Sequence, residues 1–524
     1  MQHDLLYHDY FDYYARVNPA GEFAVFKDES WTYGHAFERA NRLANALLAT
    51  GLGPGDRFAY LSKNSSDMVI AFIAASKAGL VLVPLNYRLA AAELAFVIDD
   101  CEAVLVLAQG DYCALLDEIR TEIPRVETFV AIGGQTDDWI DYDSFIEEQP
   151  TVPPSVDPVG DPPLYQMYTS GTTGRPKGAV IHQRSVMANL VQNRSSVETP
   201  GKRGMRVLIC TPLYHAAGAI MVGGVIGIGA SLVIHEDFDP HAVARSFAED
   251  RIAGANFVPA MIQSLLVNVP DLADRNYPDL VQISYGASPI AEETLRRAME
   301  IFDCEFYQSF GQTESTATLT MLNHSDHLAA LNGRPEILRS CGRPVMGTHI
   351  RTVDEKGNPQ DTGCVGELVA SGPQLMAGYW NLPEATEATL RGEWLFTGDV
   401  GRVDEDGYVY LLDRKNDVIV SGGENVYPQE VENALYGHPA ISEVSVVGVP
   451  DEKFGEAVLA CVVLKAARTV EPDDLVSFCR DRLAGYKIPR KVAFLDELPR
   501  NATGKVLKND LRAPYWEGRS RNVS

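Results

Sequence analysis

The sequence predicts an α/β fold: a large N-terminal domain of helix-flanked sheets with a β-rich subdomain, then a small α+β C-terminal domain. Three observations lead there. Short apolar strands alternate with helically periodic segments between Arg57 and Leu107, the pattern of a parallel sheet with helices on its faces. The chain is 524 residues long, too long for one ordinary hydrophobic core, so two or more domains are expected. From Gly342 to Asn381, apolar–polar alternation punctuated by Asp354-Glu-Lys-Gly357, Gly363 and Gly366 reads as a β-rich subdomain.

Taken in order, Leu5 to Ala49 read as helix, short hairpin, helix. Phe23-Ala-Val-Phe26 and Trp31-Thr-Tyr33 bracket the polar turn Lys27-Asp-Glu-Ser30, and Phe37, Ala40, Leu43, Ala44, Leu47 and Leu48 recur at helical spacing. Gly51 ends that helix, and Gly53-Pro-Gly-Asp56 turns the chain into a strand over Arg57–Leu61. Helices are expected near Asp67–Ala78 and Ala91–Asp99, and strands over Leu80–Val83 and Ala103–Leu107. A Pro-rich approach (Pro153, Pro154, Pro158, Pro162, Pro163) leads into an apolar run, Leu164 to Tyr168. The stretch Ala216 to Ile234 is uncharged and about long enough to cross a bilayer. Its glycines (218, 223, 224, 227, 229) and the lack of a basic flank favour a buried helix running into a buried strand. Near the C-terminus a helix is expected over Gln429–Tyr436, strands over Glu443–Val449 and Val458–Leu464, and a helix near Pro472–Leu483.

Composition narrows the function. Apolar residues make up 46% and charged residues 22% of the chain, as in a soluble globular protein. A net charge of −26 argues against nucleic acid or an anionic membrane as a general partner, and means that an anionic ligand must be held by local basic groups. The 8 cysteines are scattered from Cys101 to Cys479 without metal or redox spacing, so free, mostly buried thiols in a reducing cytoplasm are expected. Met1-Gln-His-Asp-Leu-Leu lacks the basic and apolar regions of a signal peptide. A cytoplasmic protein is the expectation, with a homodimer left open.

The chemistry centres on Tyr168-Thr-Ser-Gly-Thr-Thr-Gly-Arg-Pro-Lys-Gly178. Here glycines allow backbone amides to converge on an anion, hydroxyls add donors and Lys177 adds charge. The P-loop of NTPases needs Gly-Lys followed by Ser or Thr, whereas Lys177 lies between Pro176 and Gly178. A solvated Ser/Thr/Gly linker would seldom sit between two apolar segments with a proline and a lysine locked into it. This is a phosphate loop of a non-Walker type, and it closely resembles the signature loop of the adenylate-forming superfamily: acyl- and aryl-CoA synthetases, peptide-synthetase adenylation domains and beetle luciferases. Later segments extend the resemblance through nearly the whole chain, and Lys77-Ala-Gly-Leu-Val-Leu-Val-Pro-Leu-Asn86 matches a packing signature of the same group.

The resemblance implies roles residue by residue. Thr169, Ser170, Gly171, Thr172, Thr173, Gly174 and Lys177 would cradle phosphate. In Thr211-Pro-Leu-Tyr-His-Ala-Ala-Gly218, His215 matches a histidine lining the carboxylate end of the acyl site. Peptide-synthetase domains place an aspartate hereabouts for their substrate's amino group, but no acidic residue lies between Pro212 and Ile234. An unpaired buried ammonium would cost several kcal/mol, so an α-amino acid is not the expected substrate. Gly286, Ala287 and Ser288 match the adenine-contacting turn, with Ser288 also read as a helix N-cap. In Tyr307-Gln-Ser-Phe-Gly-Gln-Thr-Glu314, Phe310 replaces the usual tyrosine that stacks on adenine. There Thr313 would contact phosphate and Glu314 would hold magnesium, a hard cation preferring oxygen ligands.

Gly372-Pro-Gln-Leu-Met-Ala-Gly-Tyr-Trp-Asn381 also matches the family closely. Asp399 and Arg414 are the implied ribose partners. The family swings its C-terminal domain about a residue that here is Asn416, normally aspartate or lysine, implying domains 1–415 and 416–524, the second mobile. Gly422 and Gly423 would line a pantetheine tunnel, where glycine lets a thin chain pass close to backbone. Lys487, Arg490 and Lys491 are candidates for CoA phosphate contact, and Lys505 of Pro499-Arg-Asn-Ala-Thr-Gly-Lys505 is the implied catalytic lysine. Small or apolar residues (Ala219, Met261, Ser309, Thr316) are candidate pocket positions. The resulting expectation is an ATP-, Mg2+- and coenzyme A-dependent ligase acting on a medium- or long-chain fatty acid. An aryl or phenylpropanoid acid is the alternative, and a luciferase-like oxygenase or a non-catalytic nucleotide-binding relative is the competitor from another class.

Overall fold

Polar caps and glycines set the ends of the first helices. Thr32 caps Tyr33–Ala49 by accepting from the His35 amide, and Ser65 caps Ser66–Ala78 through the Met68 amide. Gly79 closes the second of these in the left-handed region, at φ 68°. The computed structural model describes residues 5–134, 138–156, 161–169, 175–288, 290, 292–415, 417–465, 468–480, 482–500 and 506–517. It forms two compact units: Met1–Ala287, Arg296–His349 and Ser371–Leu395 make the first, and Ser288–Leu295, Ile350–Ala370 and Phe396–Ser524 the second. The step from residue 415 to 416, expected as a domain boundary, falls inside the second unit.

The first unit holds two sheets. The eight-stranded one orders Gly378–Tyr379, Lys177–His182, Pro163–Thr169, Val81–Leu85, Arg57–Leu61, Leu105–Gln109, Thr128–Ile132 and Ile140–Asp141. Its strands from Val81–Leu85 through Thr128–Ile132 pair parallel, the arrangement that the alternation of strands and helices predicts. The nine-stranded sheet runs Arg343–Pro344, Thr320–Leu322, Glu305–Phe310, Gln282–Gly286, Ile252–Phe257, Arg206–Ile209, Ser231–Ile234, Glu22–Phe26 and Glu29–Thr32. One core joins both sheets: Phe58 and Leu82 of the first and Val207 and Leu232 of the second share it with Phe72 and Ile220 from helices. The helix Ser66–Ala78 is buried on every face from Met68 to Ala78, which explains its apolar character all round. Its one lysine, Lys77, is buried and paired with Asp12 at 2.5 Å.

The uncharged stretch resolves into the helix Ala216–Gly227 and the strand Ser231–Ile234, and no helix among the described residues is long and apolar enough to cross a membrane. Most of the eight cysteines are buried. The β-rich region differs from expectation. Its sheet, with His349–Val353 beside Gly366–Ser371 and the latter beside Trp394–Val403, continues through Val409–Arg414, past Asn381. The short strand Gly378–Tyr379 leaves that region for the edge of the eight-stranded sheet. Alternation reports which residues share a face, not which strand lies beside them.

The rest of the second unit is a sheet ordered Glu424–Val426, Ile419–Ser421, Gly455–Leu464 and Ile441–Asp451, with Lys491–Phe494 also against Gly455–Leu464. Val431, Leu435, Leu475 and Cys479 of two helices pack with Ile419, Val446 and Val458, and Leu511 of the helix Lys508–Trp516 packs with Val447, Val449 and Leu459.

Candidate active site

In the first unit, Thr169 and Lys177 stand opposite each other where the strands Pro163–Thr169 and Lys177–His182 pair antiparallel. The intervening Ser170, Gly171, Thr172, Thr173 and Gly174 lie outside the described residues. The element after the loop is a strand, and the helix Gln183–Ser196 begins only beyond it. That helix's N-terminus is therefore separated from the loop by a whole strand, which Lys177 opens. A polar chain braces the base of the loop: Arg57 Nε donates to Gln166 Oε1 (3.0 Å), Gln166 Nε2 to Tyr168 (3.1 Å), and the Tyr168 hydroxyl to Asp100 (2.6 Å). A Cβ on Gly178 would lie 2.5 Å from Gln166 Nε2, so a side chain there would displace that amide from this chain of hydrogen bonds.

The turn after the strand Glu305–Phe310 is tightly built. A Cβ on Gly311 would meet the Ala317 carbonyl oxygen at 2.0 Å, and Thr316 and Ala317 both adopt positive φ, 58° and 116°. Gln312 donates its amide to Ser315 Oγ at 3.0 Å, closing a short 3-10 turn over Thr313–Ser315. Glu314 is buried, and its Oε1 accepts from the Tyr379 hydroxyl at 2.7 Å. The ring of Tyr379 in turn lies 5.1 Å from Lys177 Nζ. Tyr379 thus meets both Lys177 and Glu314; its motif was legible in the sequence, but this contact was not. The donor set fits magnesium. Among the described residues no group of three or more His, Cys, Asp or Glu could hold a metal alone, while one carboxylate completed by phosphate oxygens is how magnesium is usually bound.

His215 precedes the helix Ala216–Gly227, with its ring centroid 4.4 Å from that of Tyr214. Burial and then the Arg88 guanidinium lower its pKa to about 4, so the imidazole is neutral at pH 7. His215 Nε2 and the Tyr214 hydroxyl are buried with no hydrogen-bond partner among the described residues. A buried polar atom left unmet calls for a ligand or water, and a substrate oxygen would satisfy it. Ala219 is buried beside it on the helix, whereas Thr316 commits its hydroxyl to the Gln374 carbonyl at 2.5 Å.

Gly286 ends the strand Gln282–Gly286, where a Cβ would lie 2.4 Å from the Ser309 carbonyl oxygen. Ala287 follows at φ 67°. Ile290 lies outside any helix and the next helix is described from Glu292, so Ser288 does not occupy its cap position. Phe310 ends its strand opposite Thr320, half-buried.

In the second unit, Asp399 and Arg414 face each other across paired strands and form an ion pair, Nε to Oδ1 2.9 Å. Arg414 also donates to the Thr397 carbonyl at 3.3 Å. Gly422 and Gly423 form the tip between Ile419–Ser421 and Glu424–Val426, at φ 64° and 86°, where glycine is needed. Lys487 is held by both oxygens of Glu430 at 2.7 Å, while Arg490 stacks 3.8 Å over Phe454, whose carbonyl accepts from Gly422. Asn416 and Lys505 lie outside the described residues; Arg500, within the Lys505 motif, and Val506, just after it, bridge antiparallel.

Known proteins match this chain along its length. The sequence model for AMP-binding enzymes matches residues 11–380, and that for the AMP-binding enzyme C-terminal domain matches 430–505. A fatty acid–[acyl-carrier-protein] ligase of Streptomyces coeruleorubidus is 35% identical over 518 residues, covering 98% of this chain and 97% of the relative. A long-chain-fatty-acid–CoA ligase of Mycobacterium tuberculosis is 36% identical over 491 residues, covering 93% and 94%. Among solved structures, o-succinylbenzoate CoA synthetase of Bacillus subtilis, in complex with its acyl-adenylate intermediate, superposes with a TM-score of 0.83 at 30% identity, covering 96% and 97%.

Proposed function

The chain belongs to the AMP-binding enzyme family, and from that premise we propose that it is an ATP-dependent carboxylate–CoA ligase acting on a medium- or long-chain fatty acid. The substrate carboxylate attacks the α-phosphorus of ATP, pyrophosphate leaves, and an acyl-adenylate remains. The CoA thiol then attacks the acyl carbonyl and AMP departs. No protein nucleophile is required; the protein supplies alignment and compensation of developing charge. Thr169, Ser170–Gly174 and Lys177 would hold the phosphates, with Thr313 beside them. Glu314 would hold Mg2+, which when bound neutralises charge on the phosphate oxygens. Gly286, Ala287, Ser288 and Phe310 would take adenine, and Asp399 with Arg414 the ribose. Lys505 would act during adenylation. Residues 416–524 would then rotate about Asn416 as a hinge, withdrawing Lys505 and bringing Gly422 and Gly423 to the pantetheine arm.

One observation carries the choice of acid: a neutral His215 with an unmet buried nitrogen at the start of a helix and strand that contain no charged residue. These elements offer no anion to pair with an ammonium and suit an uncharged tail. The Mycobacterium relative's named substrate class agrees, and the Bacillus relative's supports an aryl acid as a second reading. A panel of fatty, aryl and amino acids, read by pyrophosphate release with CoA, with an acyl-carrier protein and with no acceptor, tests both. We expect fatty acids to lead and CoA to yield thioester. Exchange driven by amino acids alone would sink the specificity argument. Turnover only with the carrier protein, the acceptor in the Streptomyces relative's name, would replace CoA as acceptor.

A further inference from the structure

We propose that Tyr379 is a positioning residue for adenylation, setting the orientation of the Glu314 carboxylate and its spacing from Lys177. The inference rests on the proposed ligase reading for the roles of those two residues. Its geometry is independent of that reading. The strand Gly378–Tyr379 is an added edge strand with Tyr379 opposite Ala179, and on either side of it Ala377 donates its amide to the Val180 carbonyl (2.9 Å) and Trp380 to that of Gly178 (2.8 Å). The Tyr379 amide is itself held by Thr386 Oγ1 at 2.9 Å. Gly378 makes that possible, because at φ 150° a Cβ there would lie 2.7 Å from Thr386 Cγ2. The side chain therefore departs from a backbone fixed on both sides.

From that base the phenol reaches Glu314 Oε1 at 2.7 Å. The Glu314 main chain is tied to the same segment, its carbonyl accepting from Met376 at 2.9 Å. A hydroxyl donating to one carboxylate oxygen gives a charge-assisted bond that limits the side chain to one orientation, with acceptor capacity remaining for a cation. The ring of the same tyrosine faces Lys177 Nζ at 5.1 Å, a cation–π distance. One side chain thus indexes the carboxylate and the phosphate-loop ammonium to each other.

Tyr379→Phe keeps the ring and removes only the hydroxyl. Partners of a metal-holding group typically change metal affinity by about 10–100-fold when lost. We expect Mn2+ binding in the presence of ATP, read by electron paramagnetic resonance of free Mn2+, to weaken within that range. The Mg2+ concentration for half-maximal pyrophosphate exchange should rise in step, while preformed acyl-adenylate plus CoA reacts at the wild-type rate. Tyr379→Leu, lacking the ring as well, should raise the KM for ATP beyond the Phe variant. The Mn2+ measurement needs no acid substrate, so it reports on Tyr379 even where the ligase reading fails. Unchanged Mn2+ affinity in Tyr379→Phe, or equal slowing of both half-reactions, would overturn the proposal.

Discussion

The neutral imidazole of His215 has a definite pH signature. Its pKa falls from 6.5 to about 4 on folding because burial disfavours the charged ring. Between those values the unfolded chain binds more protons than the folded one, so stability rises with pH there. The contribution is complete above pH 6.5 and lost as pH falls through about 4. By linkage this amounts to roughly 3 kcal/mol. His215→Gln, which cannot titrate, should therefore gain on wild type in urea midpoint as pH drops from 6.5 towards 4, and lose that relative gain above it. The adenylation pH profile should also keep its shape in the variant between about pH 5.5 and 8, because a group with so low a pKa does not titrate there. An inflection near neutrality that vanishes in His215→Gln would show instead that the imidazole carries a proton in the working enzyme.

At the scale of elements, buried ions tie the strand Val409–Arg414 to two helices. Asp413 Oδ2 accepts from the Gln429 amide at 3.1 Å, near the start of the helix Pro428–Tyr436. Lys508, first in the helix Lys508–Trp516, lies 2.9 Å from Glu432 and 3.9 Å from Asp413, and Arg512 pairs with Asp417. Burial pushes Asp413 up to about 6 despite Lys508, with Glu432 and Asp417 adding repulsion. Lys508 is raised too, and its nearer partner is Glu432, so Asp413 is the poorly compensated charge. A raised carboxylate stabilises the fold fully below its unfolded value of 3.8 and loses that share as pH climbs through about 6. Asp413→Asn, which retains an acceptor for Gln429, should then be more stable than wild type at pH 7 by up to about 3 kcal/mol. The advantage should close towards pH 4. Thermal melting across that range checks it, and a destabilised variant at pH 7 would mean that attraction to Lys508 outweighs burial.

For the whole molecule, the two half-reactions should separate. If Lys505 stabilises charge only while acyl-adenylate forms, Lys505→Ala should slow that step by about 10²–10³. Preformed acyl-adenylate plus CoA should still react at near-normal speed. Gly423→Leu should do the reverse, releasing pyrophosphate in the first turnover and then failing to form thioester. Because Gly423 sits at φ 86°, circular dichroism should accompany that variant to establish that the loop change has not unfolded the unit. Single-turnover rates resolve the steps, and equal loss of both in Lys505→Ala would make Lys505 a fixed part of one site and remove the case for rotation.

The sequence by itself determined the elements and the chemistry that short stretches encode. Periodicity and caps placed Arg57–Leu61 and the helices around it, and turn glycines marked Gly422 and Gly423, because backbone preferences are local. The motifs around Lys177, His215 and Glu314 were likewise legible as motifs, each within a few consecutive residues. Only the tertiary structure decided which of them meet. Tyr379 reaches Glu314 across 65 positions, and the strand Glu22–Phe26 finds its parallel partner in Ser231–Ile234. Asp413 and Lys508 meet from separate elements. Such pairings follow from how distant segments fill a common core, which no local window records. The protonation of His215 and Asp413 was beyond the sequence for the same reason: desolvation is a property of the surrounding protein, not of the residue.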